Sequence, residues 1–155
     1  RSTLFPYTTL FRSGIKETLP VVLLGLVIIF CVGIFGDLLL RLEGLETTSN
    51  QQSVEEIVQA IPKGLILIFA GVIGPIFEEG IFRVGIQAFF KPASKIGILV
   101  SSILFALVHT PTDIGSFIIY WGMGLALSWV YLRTGRFEAA VLTHFIWNVL
   151  GILML

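Results

Sequence analysis

Gly74-Pro75-Ile76-Phe77-Glu78-Glu79-Gly80-Ile81-Phe82-Arg83-Val84-Gly85 decides how this chain is read, because it sets three charges inside a stretch of lipid-length hydrophobicity. Residues 64–73 before it and 86–90 after it are apolar apart from Gln87. A carboxylate at the centre of a membrane helix costs roughly 2.5–3.5 kcal/mol even on lenient insertion scales. Two adjacent carboxylates should therefore face a polar interior or a water-filled cavity rather than lipid. Glu79 and Arg83 are four apart in the favourable Glu-before-Arg order, so they meet on one helical face. A structural ion pair accounts for those two as well as a functional site does. It leaves Glu78 over, pointing about 100° away round the helix and in need of partners.

Working outward, the chain reads as an all-α, polytopic transmembrane bundle with about five spans. A first helix is expected from Leu19 or Pro20 to Leu40, about twenty apolar residues. A polar stretch follows from Arg41 to Gln59, in which Ser53-Val54-Glu55-Glu56 has the form of a capping box and should open a short helix. Pro62 and Lys63 mark the entry to the long segment, which should run to Phe90 and stop at Lys91-Pro92. A third helix is expected over 93–109, a fourth over 114–132 and a fifth from Phe137 to the end. In the fourth, Gly122/Ala126 and Gly124/Ser128 have the small-xxx-small spacing that suits close helix packing. If every segment spans, Lys16, Lys91, Lys95, Arg133 and Arg136 lie on one side and Arg41 and Lys63 on the other. That bias places the N-terminus in the cytoplasm.

Composition agrees. Of 155 residues 55% are hydrophobic and 13% charged, with no net charge, whereas soluble domains carry about 25% charged residues. The lone Cys31 excludes an internal disulfide and any cysteine-based metal cluster. Zero net charge and the absence of a basic run argue against nucleic acid as a partner. Residues 1–13, with Thr3-Leu4-Phe5-Pro6-Tyr7-Thr8-Thr9-Leu10-Phe11-Arg12-Ser13, resemble the conceptual translation of a sequencing adapter. They are set aside as an artefact. Residues 14–155 are then read as one domain, with core motifs over 60–150 and further helices expected to be missing at one or both ends.

Three more polar groups lie in apolar segments. His109 follows Phe105-Ala106-Leu107-Val108, and His144 and Asn148 flank Phe145-Ile146-Trp147. His144 and Asn148 share one helical face. A single histidine in an apolar helix is commonly a satisfied packing residue. Glu78, Glu79, His109, His144 and Asn148, spread over three helices, can instead be one another's partners. Such a set supports hydrolysis: a glutamate with a histidine can take a proton from water. A second histidine and an asparagine amide can donate to the oxyanion at an attacked carbonyl. Glu, His and His are equally the ligand types of a catalytic zinc with an open position for water. The His-Glu-x-x-His signature is absent. By rise per residue His109 falls toward the outer end of the bundle and His144 toward the inner end.

These motifs resemble the CAAX-protease and bacteriocin-processing family of intramembrane endopeptidases, also called the abortive-infection family. Its pattern is Glu-Glu-x-x-x-Arg, then Phe-x-x-x-His, then His-x-x-x-Asn/Asp, matched here by Glu78-Glu79…Arg83, Phe105…His109 and His144…Asn148. The resemblance implies a helical membrane fold with the site inside the bundle. It implies Glu78 and His109 activating water, His144 and Asn148 stabilising the oxyanion, and Glu79 with Arg83 as a supporting pair. The family has been called metalloprotease, which would make Glu78, His109 and His144 zinc ligands; the same residues suit a glutamate mechanism with no cofactor. The implied partners are the lipid bilayer, of a bacterial cytoplasmic membrane, and a small peptide or membrane-protein substrate, as in bacteriocin maturation or self-immunity. The prenylated substrates of eukaryotic members are not carried over, because nothing in this chain reads a prenyl group. Two other classes stay open: a non-catalytic immunity factor or scaffold whose polar cluster glues helices, and an ion-coupled transporter using Glu and His as relays.

Overall fold

The computed structural model describes residues 14–91 and 93–155. The adapter-like segment at 1–13 and the expected helix stop at Pro92 lie outside the described residues. The described chain is a helical bundle with no strand: α1 (Ile15–Leu42), α2 (Ser49–Ala60), α3 (Lys63–Ile86), α4 (Lys95–Val108), α5 (Ile114–Thr134) and α6 (Phe137–Met154). By length and composition α1, α3, α5 and α6 can each cross a membrane, and the protein is an integral membrane protein. The expectation of about five spans needs one correction. The third predicted helix is only 14 residues, about 21 Å long, which is short of the roughly 30 Å hydrocarbon core.

Boundaries moved for local reasons. α1 starts before Pro20, with Glu17 in its first turn where the helix dipole favours an acid, and Pro20 lies inside it. α2 opens at Ser49 rather than at Ser53, because Thr48 is the N-cap and its hydroxyl accepts the Gln51 N–H. Thr48-x-x-Gln51 has the capping-box form too, ahead of the match at Ser53 expected from sequence. α4 is capped by Ser94, which accepts from Gly97 N–H, and it closes at Val108, leaving His109 as the residue just beyond.

α5 is the central helix, and its small residues decide its neighbours. A Cβ at Gly122 would sit 2.3 Å from Val32 of α1, and one at Gly124 would sit 3.1 Å from the backbone of Ser102 in α4. The α1–α5 contacts run Gly25 to Val130, Val32 to Gly122 and Gly36 to Gly115, so the two helices are antiparallel. The expected small-residue packing face is therefore two faces, one for α1 and one for α4. Ile29, Phe82, Phe105, Met123, Ala126 and Leu127 form the main apolar cluster at this junction. Apolar side chains such as Phe30, Ile34, Phe69 and Phe77 stay more than half exposed on the outside, as a lipid-facing surface requires.

α3 is not a regular helix. Two stretches, Leu67–Ile73 and Gly80–Ile86, follow the wider π register, with a short α segment carrying Glu78 and Glu79 between them. Such π insertions recur at functional sites because they re-aim side chains.

Candidate active site

Pro75 supplies the first constraint. In the π register Gly74 N–H bonds Phe69 O, and Pro75 has no N–H to offer, so the Ala70 carbonyl between them lacks a backbone donor. Asn148 of α6 fills the gap: its Nδ2 donates to Ala70 O at 2.9 Å. One N–H of the expected oxyanion donor is thus committed to α3, and the amide has a second.

The two acids of α3 separate as the spacing argument expects. Glu79 is fully buried; its Oε2 accepts from Arg83 Nε at 2.9 Å and its Oε1 meets His144 Nδ1 at 3.0 Å. Arg83, buried as well, donates from Nη1 to Ser101 Oγ, which donates in turn to Phe82 O. The Arg83 guanidinium also lies over the Phe105 ring, 5.1 Å from its centroid. Phe105 is fully buried and contacts Phe82, His109 and His144, so its place is in the packing under the site. Of the other aromatics near the site, Phe82 is core and Trp147 lines the cavity.

Glu78 faces the other way, with its side chain 31% exposed toward a cavity of about 390 Å³. Its Oε2 lies 3.8 Å from His109 Nε2 and 3.9 Å from His144 Nε2, and it has no hydrogen-bond partner in the protein. The short α4 explains how His109 reaches this depth: the helix stops at Val108 and delivers the imidazole from its end. Thr110, next in the chain, takes a left-handed φ of 49°. All five expected site residues therefore gather round one cavity or directly beneath it.

Hydrogen bonds fix what each imidazole can do. His109 Nδ1 lies 2.8 Å from the Phe105 carbonyl, which only accepts, so Nδ1 carries the proton and neutral His109 presents a lone pair at Nε2. His144 Nδ1 faces a carboxylate that is already paired with Arg83, so it too is the donor. His144 Nε2 is then an acceptor in the neutral ring and a donor only in the imidazolium.

The sequence reading missed part of the site. Tyr120 of α5 stacks on the His109 ring, centroids 4.4 Å apart and planes 16° from parallel. Its hydroxyl is 2.8 Å from Thr48 Oγ1 and accepts from Asn50 Nδ2 at 3.2 Å. Asp37 and Glu46 also line the cavity on the α1–α2 side. No spacing signal links residues 48, 109 and 120, because the contact is made by topology.

Comparison with known proteins bears on the same stretch of the chain. The profile of the type II CAAX prenyl endopeptidase Rce1-like family matches residues 59–150, which contain every motif described above. Protein YvdC of Lactococcus lactis is 31% identical over 137 residues, covering 86% of this chain and 51% of its own length. YdiL of Bacillus subtilis is 30% identical over 151 residues, 92% of this chain and 60% of that protein. The membrane-embedded CAAX protease MroQ of Staphylococcus aureus is 29% identical over 143 residues, 86% of this chain and 56% of MroQ. The chain thus spans between half and three fifths of these relatives. No solved structure matches it.

Proposed function

Because the chain belongs to the type II CAAX prenyl endopeptidase Rce1-like family, we propose that it is the core of an intramembrane endopeptidase whose nucleophile is a water activated by Glu78 and His109. The observation that carries this reading is the convergence of both histidine Nε2 atoms on one oxygen of Glu78, inside a cavity. Separations of 3.8 and 3.9 Å are too long for direct hydrogen bonds. A water drawn between these atoms would touch Glu78 and both rings. Glu78 or the Nε2 lone pair of His109 takes a proton as the water attacks a peptide carbonyl. The carbonyl oxygen becomes an oxyanion, and His144 as imidazolium, with the second N–H of Asn148, supplies donors toward it. Glu79, held by Arg83, accepts the Nδ1 proton of His144 and fixes the orientation of its ring.

Zinc draws on the same atoms. The Nδ1 bonds of His109 and His144, to a carbonyl and a carboxylate, are also those of zinc-bound histidines. Donors on a tetrahedral zinc with bonds of about 2.0–2.2 Å stand about 3.3–3.6 Å apart. The spacing here is a few tenths of an ångström wider, and no group of three or more His, Cys, Asp or Glu among the described residues could hold a metal ion as placed. The donor set has the right chemistry for zinc, and a contraction of a few tenths of an ångström would bring it to bonding distance, so the chelator arm below decides between zinc and water.

The substrate is a peptide or membrane-protein segment reached from within the bilayer. The test is cleavage of a membrane-proximal peptide library by the purified full-length protein, wild type beside Glu78→Gln, each with and without a chelator. Loss in E78Q with survival under chelation is expected. Loss on chelation, restored by zinc, makes Glu78, His109 and His144 ligands instead. No cleavage of any peptide, with E78Q folded and active in cells, returns the chain to a non-catalytic immunity or scaffold role.

A further inference from the structure

We propose that Tyr120 is the positioning residue of His109, fixing the plane of the imidazole, and that the first turn of α2 holds Tyr120 in place. The proposal rests on the reading of His109 as part of the water-activating pair.

His109 needs such support. It lies past the last residue of α4, and the residue after it adopts a left-handed backbone. Its direct hydrogen bond, from Nδ1 to Phe105 O, holds one ring nitrogen but tolerates some rotation about Cβ–Cγ, as a bent hydrogen bond does. That rotation turns the ring plane and carries Nε2, the atom that faces Glu78, out of line. Ring contacts remove the freedom. Phe105 meets the imidazole at a 40° tilt, whereas Tyr120 lies nearly parallel to it at 4.4 Å. A flat aromatic neighbour at that distance defines the plane.

Tyr120 is in turn immobilised. Its side chain is buried, and Thr48 and Asn50 both bond its hydroxyl. Between them, Ser49 Oγ donates to the carbonyl of Thr110 at 3.0 Å, gripping the backbone beside His109. Three consecutive residues thus hold both the stacking ring and the turn that presents the imidazole. Thr48 is also the cap of α2, so the helix start and the grip form together. α2 has no buried residue of its own, and this turn is its main anchorage at the site.

The experiment compares Tyr120→Phe, which keeps the ring, with Tyr120→Leu, which removes it, in the full-length protein. Tyr120→Met replaces the leucine variant if that one loses its thermal unfolding transition. Misplacing a reacting group by about 1 Å costs about 100-fold in rate. The expected result is a fall of that order in kcat for Y120L with KM unchanged, and kcat within about threefold of wild type for Y120F. A second readout does not depend on cleavage. In a protein without a histidine tag, isotope-labelled histidine gives imidazole signals, and His109→Gln and His144→Gln variants assign those of the two site residues. His109 ring signals should shift and broaden in Y120L, coincide with wild type in Y120F, and leave those of His144 in place throughout. Unchanged His109 signals and unchanged kcat in Y120L would overturn the proposal. So would Y120F failing as badly as Y120L, because the ring it keeps would then not be what seats His109. A wild type that cleaves nothing, while Y120L still displaces the His109 signals, would sink the peptidase reading and leave the seating of His109 standing.

Discussion

Asn148 and Ala70 are joined by a 2.9 Å hydrogen bond that crosses from α6 to the π-helical part of α3 and satisfies a carbonyl that Pro75 leaves without a donor. The bond gives Asn148 a structural duty distinct from any contact with substrate. Asn148→Ala should therefore lower stability, by about 1 kcal/mol for a lost part-buried hydrogen bond. In a Pro75→Ala background the N–H of residue 75 can take the Ala70 carbonyl, and the same substitution should cost about 1 kcal/mol less. A double-mutant cycle on unfolding in detergent measures the coupling. Equal costs in the two backgrounds would show that Pro75 is not the reason for the bond.

Glu78 and Glu79 are adjacent in sequence and should respond oppositely. Glu79→Gln breaks a fully buried pair with Arg83 and weakens the hold on His144, and such a loss costs about 3–5 kcal/mol. Glu78→Gln disturbs no hydrogen bond of its Oε2, so its melting temperature should match wild type while cleavage falls by about 10²–10⁴-fold. The combination Glu79→Leu with Arg83→Met removes both buried charges. It should be less destabilised than either single variant. It should still be inactive, because His144 has lost the carboxylate that orients its ring. Recovery of both stability and activity in that double variant would reduce Glu79 and Arg83 to packing.

Glycines on α5 and α3 offer a contrast in packing. A Cβ at Gly115 would lie 2.8 Å from Leu40 N and 2.9 Å from Gly36 O, both backbone atoms of α1 that cannot rotate away. Gly115→Ala should force α1 and α5 apart and cost about 1–3 kcal/mol, as overpacking does. At Gly80 nothing lies within 4 Å of the added carbon, and alanine has the better helix propensity. Gly80→Ala should be neutral or slightly stabilising. Thermal unfolding of both variants in one detergent checks the pair, and similar losses at the two sites would contradict it.

Much of this architecture was legible in the sequence, and the reasons are physical. Lipid-length hydrophobicity fixed the class and four of the spans, and the i,i+4 rule paired Glu79 with Arg83 while leaving Glu78 free, as found. Three motifs on three helices put Glu78, His109 and His144 together before any contact was known. The depth mismatch between His109 and His144 came from treating residues 93–109 as a span. A 14-residue helix that ends at Val108 removes it. The π stretches could not be read from hydropathy, although Gly74-Pro75 marked where an α-helical ladder had to fail. Tyr120 and Thr48 were invisible for a different reason. Both are ordinary residues in sequence, and only the return of α5 past the end of α4 sets them beside His109.

The start of α5 carries the last prediction, because this helix follows the His109 turn and bears Tyr120. Its first N–H groups are held by two carboxylates from different parts of the chain. Asp113, the N-cap, accepts from Ser116 N at 2.6 Å and from Ser116 Oγ at 2.7 Å. Glu43, at the end of α1, accepts from Ile114 N and Gly115 N at 3.3 and 3.2 Å. Together they satisfy donors that a helix cannot satisfy for itself, and their charge suits the positive end of its dipole. Asp113→Ala should cost about 0.5–2 kcal/mol, the usual range for a lost N-cap. Asp113→Asn keeps an acceptor in place and should cost only a few tenths, since asparagine caps about as well as aspartate. Glu43→Gln likewise keeps an acceptor oxygen, whereas Glu43→Ala unties α1 from α5 and should destabilise by about 1 kcal/mol. Denaturation of the four variants ranks them directly. If the asparagine and glutamine variants fall as far as the alanines, charge rather than hydrogen bonding holds the start of this helix.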